Sequence, residues 1–180
     1  GVDGKGLSKR HGAVDIKSFL DEGYLVEALI NYLVKTGWSH GDQEFFSTDD
    51  LLKLFTIDKV TKSSAIFDYD KLNWLNQHYI KNKDLSDIAD MILPYLTDLN
   101  IKVSDRKYLE NILSLGIDRD YNLKNIASGL TYYFENDLNY KSDDFVKLDP
   151  IKAKAVIENV IKKISNIDFD NKENISNCIK

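Results

Sequence analysis

Apolar residues recur at intervals of three and four along almost the whole 180-residue chain, and Pro94 and Pro150 are its only prolines. That spacing lays one apolar stripe along a helix, whereas a half-buried strand needs strict alternation. Over 24–35, Leu25, Ala28, Leu29, Tyr32 and Leu33 fall on one face, with Gly37 as a stop. Ser47 and Asp50 form a capping pair ahead of Leu51, Leu52 and Leu54. Asp68 is placed to cap a helix carrying Leu72, Leu75 and Tyr79. The next stripe is Leu85, Ile88, Ala89, Ile92 and Leu96, which Pro94 should kink or end early.

Ser104 is the expected cap of a helix with Tyr108, Leu109, Ile112 and Leu113 inward and Gly116 at its end. Leu123, Ile126, Ala127, Leu130 and Phe134 make a further stripe. Asp149 and Pro150 suit the N-cap and first helical position, ahead of Ala153, Val156, Ile157, Val160, Ile161 and Ile164. No alternating pair of segments competes, so the predicted class is all-α, built as helical bundles. Polar stretches at 81–84 and 136–148 are the candidate junctions, and 167–180 is short and charged.

Several functions are excluded early. No apolar run approaches the roughly 18 residues of a membrane span, and the opening GVDGKGLSKRHG has no secretory apolar core. Cys178 is the lone cysteine, so no disulfide framework forms within the chain, and no Cys/His spacing suits zinc. A reducing, cytoplasmic compartment is expected. The net charge of -5 weighs against nucleic acid, since phosphate contacts want a basic face. That average hides local differences: residues 1–20 hold four basic and two acidic side chains, while 84–110 hold three and six. The overall sign therefore decides nothing about RNA. Only three of the 24 basic residues are arginine: Arg10, Arg106 and Arg119.

One segment carries recognisable chemistry. Residues 3–10 read D-G-K-G-L-S-K-R, where Gly4 and Gly6 free the backbone to approach a phosphate and Lys5, Lys9 and Arg10 supply charge. It is not a P-loop, because G-x-x-x-x-G-K-[ST] is absent. Chemistry alone leaves two readings, a solvated turn or a loop holding a triphosphate. The run L-S-K-R-H-G-A-V over 7–14, however, closely resembles the second ATP signature of class I aminoacyl-tRNA synthetases as the bacterial glutamyl-tRNA synthetases carry it. Further blocks in the right order are similar to that family. They are Gly23-Tyr24-Leu25, Glu27-Ala28-Leu29, Asn31-Tyr32-Leu33, Gly37-Trp38-Ser39, Gly41-Asp42-Gln43-Glu44, Phe67-Asp68, Lys71-Leu72 and Trp74-Leu75-Asn76 with Tyr79-Ile80. Beyond residue 81 the likeness rests on the helical pattern, Arg119, Leu123-Lys124 and Tyr133-Phe134.

The resemblance implies an ATP loop at 1–12, a helical stem-contact domain at 13–80, the first part of a helical anticodon-binding domain at 81–148, and a truncated second part at 149–180. It implies ATP contacts from Lys9, Ser8 and Arg10, with Lys9 on the phosphates, where an ammonium offsets charge as pyrophosphate leaves. The signature usually opens with lysine; here that position is Gly6. It also implies anticodon contacts from Arg119 and Lys124, Arg119 offering its planar fork to a base edge and Lys124 meeting phosphate. The parent enzyme would be a glutamate–tRNA ligase taking ATP with magnesium, glutamate and tRNA(Glu). The chain alone is expected to be an inactive, monomeric, tRNA-binding portion with no catalytic residue, metal site or membrane contact. The contrasting reading is a stand-alone helical RNA-binding or interaction module.

Plainer roles stand beside these. His11, His40 and His78 share no ligand spacing and suit structural or solvent roles. Trp38 and Trp74 suit core packing rather than stacking on bases. Asp42, Glu44, Asp49 and Asp50 suit a solvated face, and Tyr132, Tyr133 and Phe134 suit helix packing. Arg119, between Asp118 and Asp120, has a surface ion pair as its plainer alternative.

Overall fold

A computed structural model describes residues 15–62, 65–134 and 149–165, and every regular element among them is helical. The helices are α1 (Ile16–Asp21), α2 (Val26–Lys35), α3 (Thr48–Leu54), α4 (Tyr69–Lys81), α5 (Leu85–Asp98), α6 (Arg106–Gly116), α7 (Leu123–Gly129) and α8 (Pro150–Ile164). Short 3-10 turns occupy Ile57–Lys59 and Thr131–Tyr133. Described residues up to 134 form one unit, and α8 belongs to a second. None of these helices is long and apolar enough to cross a membrane.

Caps set many of the boundaries. Ser47 and Asp50 bond reciprocally in a capping box, Asp68 accepts from the Lys71 amide, and Asp149 accepts from the Ile151 and Lys152 amides. For α6 the cap is Asp105, not Ser104: its carboxylate accepts from the Tyr108 amide at 3.1 Å. Helix α1 ends in a Schellman motif, with the Tyr24 amide donating to the Phe19 carbonyl at 3.0 Å and Gly23 at φ +85°. The rings of Phe19 and Tyr24 meet edge-on at 5.4 Å, the apolar contact that accompanies the motif. Asn100, at φ 62°, closes α5 in the same way, the Ile101 amide reaching the Leu96 carbonyl.

Pro94 does not end α5, which continues to Asp98. Proline removes the amide that would bond the Asp90 carbonyl, and both Asp90 and Pro94 are exposed residues on the outer side of the helix. The stripe beginning at Leu123 is also interrupted: α7 stops at Gly129 and a 3-10 turn carries the chain towards Phe134. Helix α1 escapes the periodicity because it buries only Phe19.

Helix α2 packs on α4, and α5 packs on α6 and α7. The main core joins Leu25, Ala28 and Ile80 to Ile88, Ile92, Leu96, Leu109, Leu113, Ile126 and Leu130. It therefore runs through the polar turn at 81–84. Each fully buried Leu or Ile contributes roughly 1.5–3 kcal/mol relative to exposure. Two smaller clusters gather Phe19, Tyr24, Leu29, Tyr32, Leu72 and Leu75, and Trp38, Phe46 and Leu51.

Several expected inward residues face out. Leu33 is 49% exposed and Leu52 79%, while Tyr108, at 41%, directs its hydroxyl to the Tyr133 carbonyl at 2.9 Å. Trp38 is buried as expected, but Trp74 is half-exposed, flanked by Phe45 at 4.7 Å and the Lys71 ammonium at 4.1 Å from its ring centre. Lys71 also pairs with Glu44 at 2.7 Å, so that acidic residue belongs to a charged surface pair.

Candidate nucleic-acid interface

Ser8, Lys9, Arg10 and His11 lie outside the described residues. Among those described, no group of three or more His, Cys, Asp or Glu side chains is placed to hold a metal.

Arg119 sits in the loop 117–122 between α6 and α7. Gly116 ends α6 against Leu130, where an added Cβ would stand 3.0 Å from the Leu130 side chain. The Arg119 amide donates back to the Gly116 carbonyl at 3.0 Å, and Asn122 closes the loop as the cap of α7. The Arg119 side chain is exposed, and one guanidinium nitrogen donates to the Tyr132 hydroxyl at 3.3 Å. Its neighbouring carboxylates are engaged elsewhere. Asp118 pairs with Lys81 at 3.1 Å, and Asp120 accepts from the Tyr121 amide at 2.7 Å and Asn125 Nδ2 at 3.0 Å. Among the described residues no carboxylate pairs with Arg119, so the ion-pair alternative does not form and most of the planar donor edge faces solvent.

Beneath Arg119 lies a recess of about 60 Å³ lined by Gly116, Asn125, Gly129, Leu130 and Tyr132. It suits about two water molecules. A nucleobase would therefore meet the guanidinium at the surface. Tyr133 and Phe134 pack against the core as expected, but Tyr132 is 41% exposed beside Arg119, its ring 4.0 Å from that of Tyr133.

Lys124 stands in the first turn of α7, and its ammonium lies 2.8 Å from Glu22. That hydrogen bond, with the Glu22 charge, raises the lysine above its ordinary range. Both side chains remain about half-exposed, so phosphate would compete with Glu22 for the same ammonium. The sequence-predicted residues are thus close in chain but differently engaged, Arg119 open and Lys124 paired.

The residues that hold this loop escape a motif search. Asn76, fully buried on α4, accepts from the Leu25 amide at 2.8 Å and donates to the Tyr121 carbonyl at 2.6 Å. Next to it, Gln77 directs Nε2 to the carbonyls of Asp118 at 3.3 Å and Asp120 at 3.4 Å. The available signal was an asparagine inside an apolar stripe, one turn after Leu72. A buried amide there must find partners or cost stability.

Residues 1–74 match the family model of class I tRNA synthetases (E and Q), catalytic domain, and residues 87–180 match an anticodon binding domain. A solved glutamate tRNA ligase from Elizabethkingia meningosepticum, in complex with its amino acid, is similar at 29% identity and a TM-score of 0.76. The match covers 98% of this chain and 38% of that one. The glutamate-tRNA synthetase from Elizabethkingia anophelis is similar at 28% identity and a TM-score of 0.71, covering 97% and 39%. The chain thus spans under two fifths of the length of either solved protein. With the anticodon-binding match extending over more than half of its residues and the catalytic-domain match over most of the rest, the chain belongs to the class I tRNA synthetases of the E and Q type.

Proposed function

We propose that the chain is the tRNA-binding portion of a glutamate–tRNA ligase, and that Arg119 presents its guanidinium to the third anticodon base of tRNA(Glu). The observation that carries this reading is the freedom of that side chain. Asp118 and Asp120 are both occupied, and among the described residues only the Tyr132 hydroxyl accepts from Arg119. A planar fork with open donors suits the acceptors of a base edge, and each such pair contributes about 1–3 kcal/mol of discrimination. Lys124 adds a phosphate contact without base preference.

The resemblance of 7–14 to the second ATP signature supports giving Lys9, with Ser8 and Arg10, the role of contacting the ATP phosphates in the whole enzyme, where a cation offsets charge as glutamate displaces pyrophosphate. Glutamate then passes to the tRNA. The described residues contain no strand, and this chain as a monomer is expected to bind tRNA without forming the adenylate. The likeness of both solved glutamate ligases, at 28–29% identity over nearly the whole chain, supports glutamate over another amino acid.

The test is a titration of the chain with tRNA(Glu) transcripts at several salt concentrations, repeated with the third anticodon base changed. Arg119→Ala should remove most of the preference for the native base. A negligible salt slope, or unchanged preference in that variant, would defeat the reading.

A further inference from the structure

We propose that Gln77 is a positioning residue for Arg119, acting from α4 on the loop that carries the arginine. The proposal rests on the reading of Arg119 as an anticodon contact. Its geometric basis is separate. Gln77 Nε2 reaches the carbonyls of Asp118 and Asp120, the residues immediately before and after Arg119. One side chain thus spans the arginine's own stretch of backbone.

Two neighbours on α4 reinforce it. Lys81, one turn further along, pairs with Asp118 at 3.1 Å, and Asn76 donates to the Tyr121 carbonyl at 2.6 Å. Helix α4 is itself fixed, because Leu72, Leu75 and Ile80 are fully buried. Within the loop, by contrast, the Arg119 amide makes a single backbone bond, to Gly116. Three side chains of one rigid helix thus hold positions 118, 120 and 121, alongside the Asp120 carboxylate's own bonds to the Tyr121 amide and Asn125. A guanidinium can select a base edge only if its backbone is held to within a fraction of an ångström, and holding it beforehand reduces the ordering cost of binding.

Gln77 is the member that can be tested without unfolding the chain. It is only partly buried and its two bonds are long, whereas Asn76 is a fully enclosed hub. Gln77→Met keeps length and volume and removes the donor. Gln77→Glu keeps shape and replaces the donor with a charge facing two carbonyls.

The experiment measures affinities of the 180-residue chain for tRNA(Glu) transcripts carrying the native or a changed third anticodon base. Wild type, Gln77→Met, Gln77→Glu, Arg119→Ala and Gln77→Met with Arg119→Ala are compared, with thermal melting as a control. The preference for the native base should fall about tenfold in Arg119→Ala and roughly threefold or more in either Gln77 variant. In the Arg119→Ala background, Gln77→Met should add nothing. Full preference in Gln77→Met beside lost preference in Arg119→Ala would overturn the positioning role and leave the anticodon reading standing. Amide exchange of the free chain separates the two further: the hydrogen-bonded Arg119 and Tyr121 amides should exchange about tenfold faster in Gln77→Met. Unchanged exchange overturns the positioning role whatever the tRNA data, and full preference in Arg119→Ala overturns the anticodon reading alone.

Discussion

The Gly23 carbonyl accepts a hydrogen bond from the Leu123 amide at 3.1 Å, joining the turn after α1 to the first residue of α7. Two requirements meet at this glycine. Its φ is +85°, and an added Cβ would stand 2.7 Å from both the Leu123 and Lys124 amide nitrogens. Gly23→Ala therefore combines backbone strain with a clash against main chain that cannot yield cheaply. We expect a loss of roughly 2–4 kcal/mol, read by urea denaturation. A loss under about 0.5 kcal/mol would mean that this contact is not made.

Asn31 offers a second measure of how the helices are tied together. It is fully buried on α2, donates to the Glu44 carbonyl at 3.0 Å and accepts from the Phe46 amide at 2.7 Å, with the Tyr79 hydroxyl 2.8 Å away. Asn31→Leu fills similar space but strands the Glu44 carbonyl and the Phe46 amide of one loop, and leaves the Tyr79 hydroxyl only the Phe46 carbonyl at 2.8 Å. The expected cost is about 2–4 kcal/mol, because each group left unpaired contributes its own desolvation penalty. Denaturant midpoints that match wild type would contradict that network.

Asn31 and Asn76, both fully buried, mark where sequence reasoning stopped. Periodicity placed Leu72, Leu75, Ile88, Leu96, Leu109 and Ile126 inward, because their burial follows from local spacing. It misplaced Leu33, Tyr108 and Trp74, whose exposure depends on which neighbour covers each flank. Capping was legible to within a residue: Ser104 and Asp105 are both good caps, and only geometry chooses between them. Arg119 was singled out by family resemblance alone, and its lack of a pair with Asp118 reflects Lys81, 37 positions before Asp118 in the chain. Asn76 and Gln77 carry no motif, since a side chain bonding distant carbonyls leaves no fixed spacing.

His78 should impose a pH dependence on stability. Its ring lies 3.4 Å from that of Phe45, nearly parallel, and burial lowers its pKa from the ordinary 6.5. The folded chain thus resists protonation more than the unfolded chain does. The stability that the neutral ring contributes is present above pH 6.5 and is lost as pH falls through that value towards the lower folded pKa. His78→Phe keeps an aromatic stack without titration. Its denaturation midpoint should decline less than wild type's as pH falls below 6.5, and parallel declines would sink the assignment.

Glu22 and Lys124 allow the phosphate contact to be tested from its opposing partner. The Lys124 ammonium lies 2.8 Å from Glu22, and that carboxylate both occupies it and repels an incoming phosphate. Glu22→Gln removes the charge with little change of shape. If Lys124 meets phosphate, this variant should bind tRNA roughly three- to tenfold more tightly at low salt, with a steeper salt dependence. Lys124→Met should weaken binding and reduce the slope of log affinity against log salt by about one. Neither change should alter the preference for the third anticodon base, because a phosphate contact carries no base information. Glu22→Gln with unchanged affinity and slope would place Lys124 away from the RNA. A shift in base preference would instead make Lys124 part of the readout that we assign to Arg119.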